Sequence, residues 1–143
     1  VFALYVTRIR KPGMVFLTAI VSSLLMVLTG HAWTTLVTAA VFSILAEIVL
    51  ARGRYRSARA SALAYGVFSL WVAGPILPLY YQHDAYIADI GKKMGDGYAR
   101  AWETLFSPAF LLGLLVVVFV SSFLGGRLGQ KMLRKHFVRA GIA

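Results

Sequence analysis

The sequence predicts an all-α protein, a polytopic transmembrane helix bundle, and three observations carry that prediction. Of 143 residues, 59% are apolar or aromatic and 14% are charged, where a soluble domain has about 25% charged; the mean hydropathy is +0.75. Apolar runs near the ~20 residues that cross a ~30 Å hydrocarbon core recur along the chain. The basic residues are also segregated. Twelve of the fifteen Lys and Arg fall in three clusters, Arg8, Arg10 and Lys11, then Arg52, Arg54, Arg56 and Arg59, then Arg127, Lys131, Arg134, Lys135 and Arg139, and each abuts an apolar run.

That distribution argues against nucleic acid as the partner of the +10 net charge and for a lipid bilayer. There is no cysteine, which excludes disulfides and thiolate chemistry, and His31, His83 and His136 are too scattered for a zinc spacing. No P-loop, nucleophile elbow or His-Glu-x-x-His motif is present, so no catalytic residues and no enzyme activity are expected.

The chain opens with "VFALYVTRIRKPG", which reads as the last turns of an apolar helix (residues 1–8) entering a basic loop, as in the C-terminal part of a longer chain. A single transmembrane domain then follows, with spans at about 14–33, 34–51, 58–81 and 108–126. "GHAW" at residues 30–33 is short enough only for a tight turn. Alternate threading places all three basic clusters on one side, which the positive-inside rule makes cytoplasmic, with the tail 127–143. The segment 82–107 lies outside and carries four of the five carboxylates. Its apolar residues recur at near-helical spacing, interrupted by Gly91, Gly95 and Gly97, as in amphipathic elements over the outer mouth of a bundle. Small residues repeat every four positions at Ala58, Ala62 and Gly66 and at Ser121, Gly125 and Gly129, the pattern by which membrane helices approach closely.

Polar residues within or beside the spans are the functional candidates. Glu47 is the single carboxylate inside a span. It lies near the cytoplasmic end, where pairing with Arg52 or Arg54 is the preferred reading over proton coupling. At the outer end, Tyr80, Tyr81, His83 and Tyr86 gather, Trp71 lies about two turns deeper, and His31 and Trp33 occupy the turn on the same side. An aromatic belt accounts for Trp33 and Tyr81 without any ligand; the histidines fit better with a ring-lined pocket holding a few polar groups. "GPILP" at residues 74–78 predicts a kink, tolerated at membrane depth where protein or a cavity covers the freed carbonyls.

Four stretches, "LTGHAW", "AEIVLARGRYRS", "YGVFSLWVAGPILPLY" followed by "DAYIA", and the ending "GGRLGQKMLRKHFVRAGIA", together resemble Trep_Strep-type integral membrane proteins, substrate-binding (S) components of energy-coupling factor transporters. The resemblance runs through essentially the whole chain. It implies a six-helix bundle in the cell membrane of a bacterium that captures a micronutrient outside and works with a transmembrane coupling (T) protein and two cytoplasmic ATPase subunits. The chain would bind no cofactor of its own, ATP being used by the partners. Residues 1–8 would end the second helix and the four spans would be the third to sixth. His31, Trp33, Trp71, Tyr80, His83 and Tyr86 would line or cover the substrate site, and Arg52, Arg54, Tyr55 and Arg56 would face the docking side. Such a site suits a flat heteroaromatic vitamin or a tetrapyrrole. Two other readings stay open: a self-contained proton-coupled carrier using Glu47, and a structural or assembly subunit with no ligand.

Overall fold

A computed structural model describes residues 2–9 and 11–132. Arg10, Arg134, Lys135, His136 and Arg139 lie outside the described residues. Within them every regular element is helical: α1 (Phe2–Arg8), α2 (Met14–Leu28), α3 (Thr34–Arg52), α4 (Ala58–Ser69), a 3₁₀ turn (Leu70–Ala73), α5 (Pro78–Tyr81), α6 (His83–Met94), α7 (Asp96–Leu105) and α8 (Pro108–Met132). Helices α3 and α8 are long and apolar enough to cross a membrane. At 1.5 Å per residue they span about 28 and 37 Å.

Successive long helices are spatial neighbours, α2 on α3, α3 on α4 and α4 on α8. The crossings are made by small side chains. Ala19, Ser23, Ala39, Ser43, Ala46, Ala62 and Ala64 are buried, while Val37, Val41 and Ile48 of α3 and Leu112, Val116 and Val120 of α8 face outward. In lipid this inversion is expected, because bulky apolar chains gain little from leaving hydrocarbon, whereas small ones permit close backbone contact. The buried hydroxyls of Ser23 and Ser43 donate to carbonyls of their own helices, Ile20 O and Ala40 O.

The predicted row on α4 is used, since Ala62 and Gly66 are buried, but the facing row on α8 is displaced by one residue. Gly126 is the buried glycine there: a Cβ built on it would stand 3.0 Å from Ala62 Cα, whereas one on Gly125 would reach only Tyr65 at 4.0 Å. A four-residue spacing identifies a stripe, but two adjacent stripes both run from serine to glycine, Ser121 to Gly125 and Ser122 to Gly126, and only the rotation of α8 chooses between them. Helix α8 also continues past the expected end at residue 126 to Met132, and Gln130 Nε2 donates to Ala58 O at 2.6 Å.

Two other expectations change. Helix α2 stops at Leu28 rather than near residue 33. Gly30, at φ 97°, allows a Schellman ending in which Gly30 N–H donates to Val27 O at 3.0 Å and His31 N–H to Met26 O at 3.1 Å. The predicted kink at residues 74–78 is a full break. The helix tightens to 3₁₀ over 70–73, and Pro75 and Pro78 lack the N–H groups needed to continue it.

The beginnings of α2 and α4 and the ends of α3 and α8 meet at one end of the bundle, the basic end. There Glu47 corrects the sequence expectation. Its partners among the described residues are Val15 N–H, which donates to Oε1 at 2.8 Å, and Tyr55 Oη, which donates to Oε2 at 2.6 Å; neither Arg52 nor Arg54 pairs with it. The N-cap of α2 is Gly13, which has no side chain to offer, so a carboxylate from the neighbouring helix satisfies the first-turn N–H and complements the helix dipole.

Candidate functional site

At the opposite end, α3 is tied to the broken segment through threonines. Thr34 Oγ1 donates to Gly74 O at 2.7 Å, and Thr38 Oγ1 lies 3.1 Å from Trp71 O. Gly74 is needed for this approach: a Cβ there would collide with Thr38 Oγ1 and stand 2.6 Å from Thr35 Cα. The same closeness seals Thr35, whose hydroxyl is fully buried without a hydrogen-bond partner among the described residues.

Beyond the break, α5 and α6 present three predicted residues toward α7 and its C-terminal turn. Tyr80 Oη donates to Phe106 O at 2.9 Å. His83 Nε2 lies 3.5 Å from Glu103 Oε1 and Nδ1 lies 3.2 Å from Asp84 Oδ1. Tyr86 Oη donates to Pro75 O at 3.2 Å, and its ring sits 6.1 Å from that of Trp102. Trp102 in turn stacks on Phe106 at 4.2 Å, with Tyr98 and Phe110 extending the row. Burial first, then the charge of Asp89 and the neighbouring Tyr98, pushes the Tyr86 hydroxyl above its ordinary value of 10.0.

Trp102, Phe106 and Glu103 were legible only as members of an amphipathic segment. What marks them as site residues is that α6 and α7 fold back on each other at Gly95, whose φ of 90° few other residues adopt. An open cleft of about 420 Å³ also lies between α6 and α7, lined by residues including Lys92, Asp96 and Arg100. It gives the segment 82–107 polar groups of both signs within one open recess.

The remaining predicted residues do not join this cluster. His31 is exposed, and its Nδ1 lies 3.0 Å from Met26 O, so ring and backbone both close the end of α2. Trp33 is 62% exposed, as a belt ring requires. The Trp71 ring lies 6.3 Å from Phe68, which stacks with Phe2, on the α1–α4 side. Of the basic-end set, Arg52, Arg54 and Arg56 are exposed. Tyr55 instead turns inward to Glu47 and packs beside the buried cluster of Val6, Val15, Ala46, Leu50 and Ala64. Burial, then the hydrogen bond to Glu47 and its charge, pushes its hydroxyl up to about 12.

The family's sequence model matches residues 1–139. The chain belongs to the Trep_Strep family. Its members are described as hypothetical bacterial integral membrane proteins, in agreement with the helical bundle and the two membrane-length helices. Comparison with curated proteins and with solved structures returns no match. Trep_Strep membership accounts for the outward-facing apolar chains as a membrane-facing surface. Among the described residues no group of three or more His, Asp or Glu could hold a metal ion.

Proposed function

We propose that this Trep_Strep protein is the substrate-capture subunit of an energy-coupling-factor-type importer, binding a small organic nutrient at the end opposite its basic clusters. The observation that carries the reading is the convergence of Tyr80, His83 and Tyr86 on Glu103, Trp102 and Phe106. Stacked rings offer a face for a planar ligand, and the His83–Glu103 pair beside them can donate and accept hydrogen bonds. The cargo is accordingly a flat heteroaromatic vitamin-like molecule or a tetrapyrrole. The basic end is cytoplasmic in this scheme, and Arg54 and Arg56 face a T protein and two ATPase subunits there.

The test is mass spectrometry of small molecules that co-purify with the full-length protein in mild detergent. A planar compound retained by the wild type and by His31→Ala, and lost from both His83→Ala and Trp102→Ala, is the expected result. A compound retained by all three variants would remove the outer cluster from the site. Absence of any compound, together with no thermal shift from a panel of vitamins and haem, would overturn capture in favour of an assembly subunit.

A further inference from the structure

At the basic end, a groove of about 590 Å³ runs between the end of α3, the start of α4 and the cytoplasm-proximal part of α8 in the proposed orientation. Its walls are apolar, with Val49, Leu63 and Phe123 among them, and three arginines from the three helices, Arg52, Arg59 and Arg127, stand around it. We propose that this groove binds an anionic phospholipid, with the phosphodiester held by the guanidinium groups and an acyl chain laid along Leu63 and Phe123.

Charge complementarity carries the choice of occupant. All three arginines are exposed, and among the described residues none of them enters an ion pair. The chain has five carboxylates in all. Four lie between residues 84 and 103, on the segment at the far end, and the fifth, Glu47, is occupied by Val15 and Tyr55. Three positive charges therefore meet in a recess without a side-chain anion from the protein to neutralise them. Guanidinium forks match phosphate oxygens bidentately. Arg127 is held near the groove by the Phe123 ring, 5.9 Å from its guanidinium carbon.

The groove's position favours lipid over a soluble phosphate compound. It opens between α3 and α8, the two helices of membrane length, and the neighbouring chains Ile48 and Leu124 are exposed apolar groups. A headgroup at that depth has its tail in hydrocarbon, and basic recesses between membrane helices at this level attract anionic headgroups. Close approach of the loop to α4 is built in, since a Cβ on Gly53 would collide with Ala60 Cβ. That contact keeps Arg52 and Arg59 on one rim.

Native mass spectrometry of the delipidated full-length protein, titrated with phosphatidylglycerol or phosphatidylcholine in mixed micelles, tests the site. Phosphatidylglycerol is expected to bind preferentially. Each arginine replaced should weaken it about fivefold, and Arg52→Gln/Arg59→Gln/Arg127→Gln together about a hundredfold. Arg54→Gln/Arg56→Gln/Lys131→Gln removes equal charge at the same end and should leave most of the preference. If the first triple variant does not fold, Leu63→Trp, at an exposed position, should block the acyl path and lower binding similarly. Equal binding of both lipids, equal losses in the two triple variants, or displacement of the lipid by inorganic phosphate would each overturn the proposal.

Discussion

Glu47 distinguishes a structural acid from a proton-coupling one, and its geometry gives the two substitutions different expected costs. Glu47→Ala removes the acceptors of Val15 N–H and Tyr55 Oη, held at 2.8 and 2.6 Å. Hydrogen bonds to charged groups contribute about 1.5–3 kcal/mol each in water-exposed proteins, and bonds between membrane helices average about 0.6 and reach about 1.7 kcal/mol. Glu47 sits one turn from the helix end, between those regimes, so the alanine variant should lose about 2–4 kcal/mol, or about 10 °C in melting temperature. Glu47→Gln is different. Its carbonyl can still accept from Val15 N–H and its amide can donate to the Tyr55 oxygen, so only the charge assistance is lost, about 1 kcal/mol. The assay pairs thermal unfolding in detergent with ligand retention and uptake in cells. The expected pattern is a large loss of stability for alanine, a small one for glutamine, and near wild-type function for glutamine. A glutamine variant that melts like wild type but no longer accumulates ligand would refute the structural assignment and favour a proton-coupled carrier.

Two further outcomes follow from close contacts. Gly74→Ala forces the 3₁₀ segment away from Thr35 and Thr38 and breaks two bonds to α3, so it should cost about 3 kcal/mol by overpacking and lost hydrogen bonds. Gly97→Ala, which meets nothing within 4 Å, should stay within about 0.5 kcal/mol of wild type; equal melting temperatures for the two variants would contradict the packing at the break. Tyr55 makes stability depend on alkaline pH. Its hydroxyl is the donor to Glu47 and its folded value is raised from 10.0 to about 12, so the folded state keeps a proton that the unfolded chain releases. The stabilisation is complete below about pH 10 and is lost as pH rises through about 12. Melting temperature should fall more steeply over that window in wild type than in Tyr55→Phe, and parallel curves would show that the bond contributes nothing.

The apolar runs, the clustering of arginine and lysine, and the Gly-Pro punctuation belong to local chemistry, and these determined the helical class, the position of the basic clusters and an interruption at residues 74–78, expected as a kink and found as a full break. Hydropathy is a sum over neighbours in sequence, which is why it suffices for such features. Partner choice is not local. Glu47 lies five residues from Arg52, yet it is bonded to Val15, 32 residues away, because α2 begins beside it with a glycine cap. His31 and Trp33 looked like site residues by proximity to the outer end, but a left-handed Gly30 turns His31 onto Met26 and leaves Trp33 outward. Trp102 and Glu103 carried no signal beyond amphipathicity until the turn at Gly95 laid α7 against α6. The sequence by itself determined which segments are helical and which end is basic. The tertiary structure decided which of two glycine stripes faces Ala62, which acid is a cap, and which rings meet. Each of those depends on the rotation of one helix about its axis, which packing sets and composition does not.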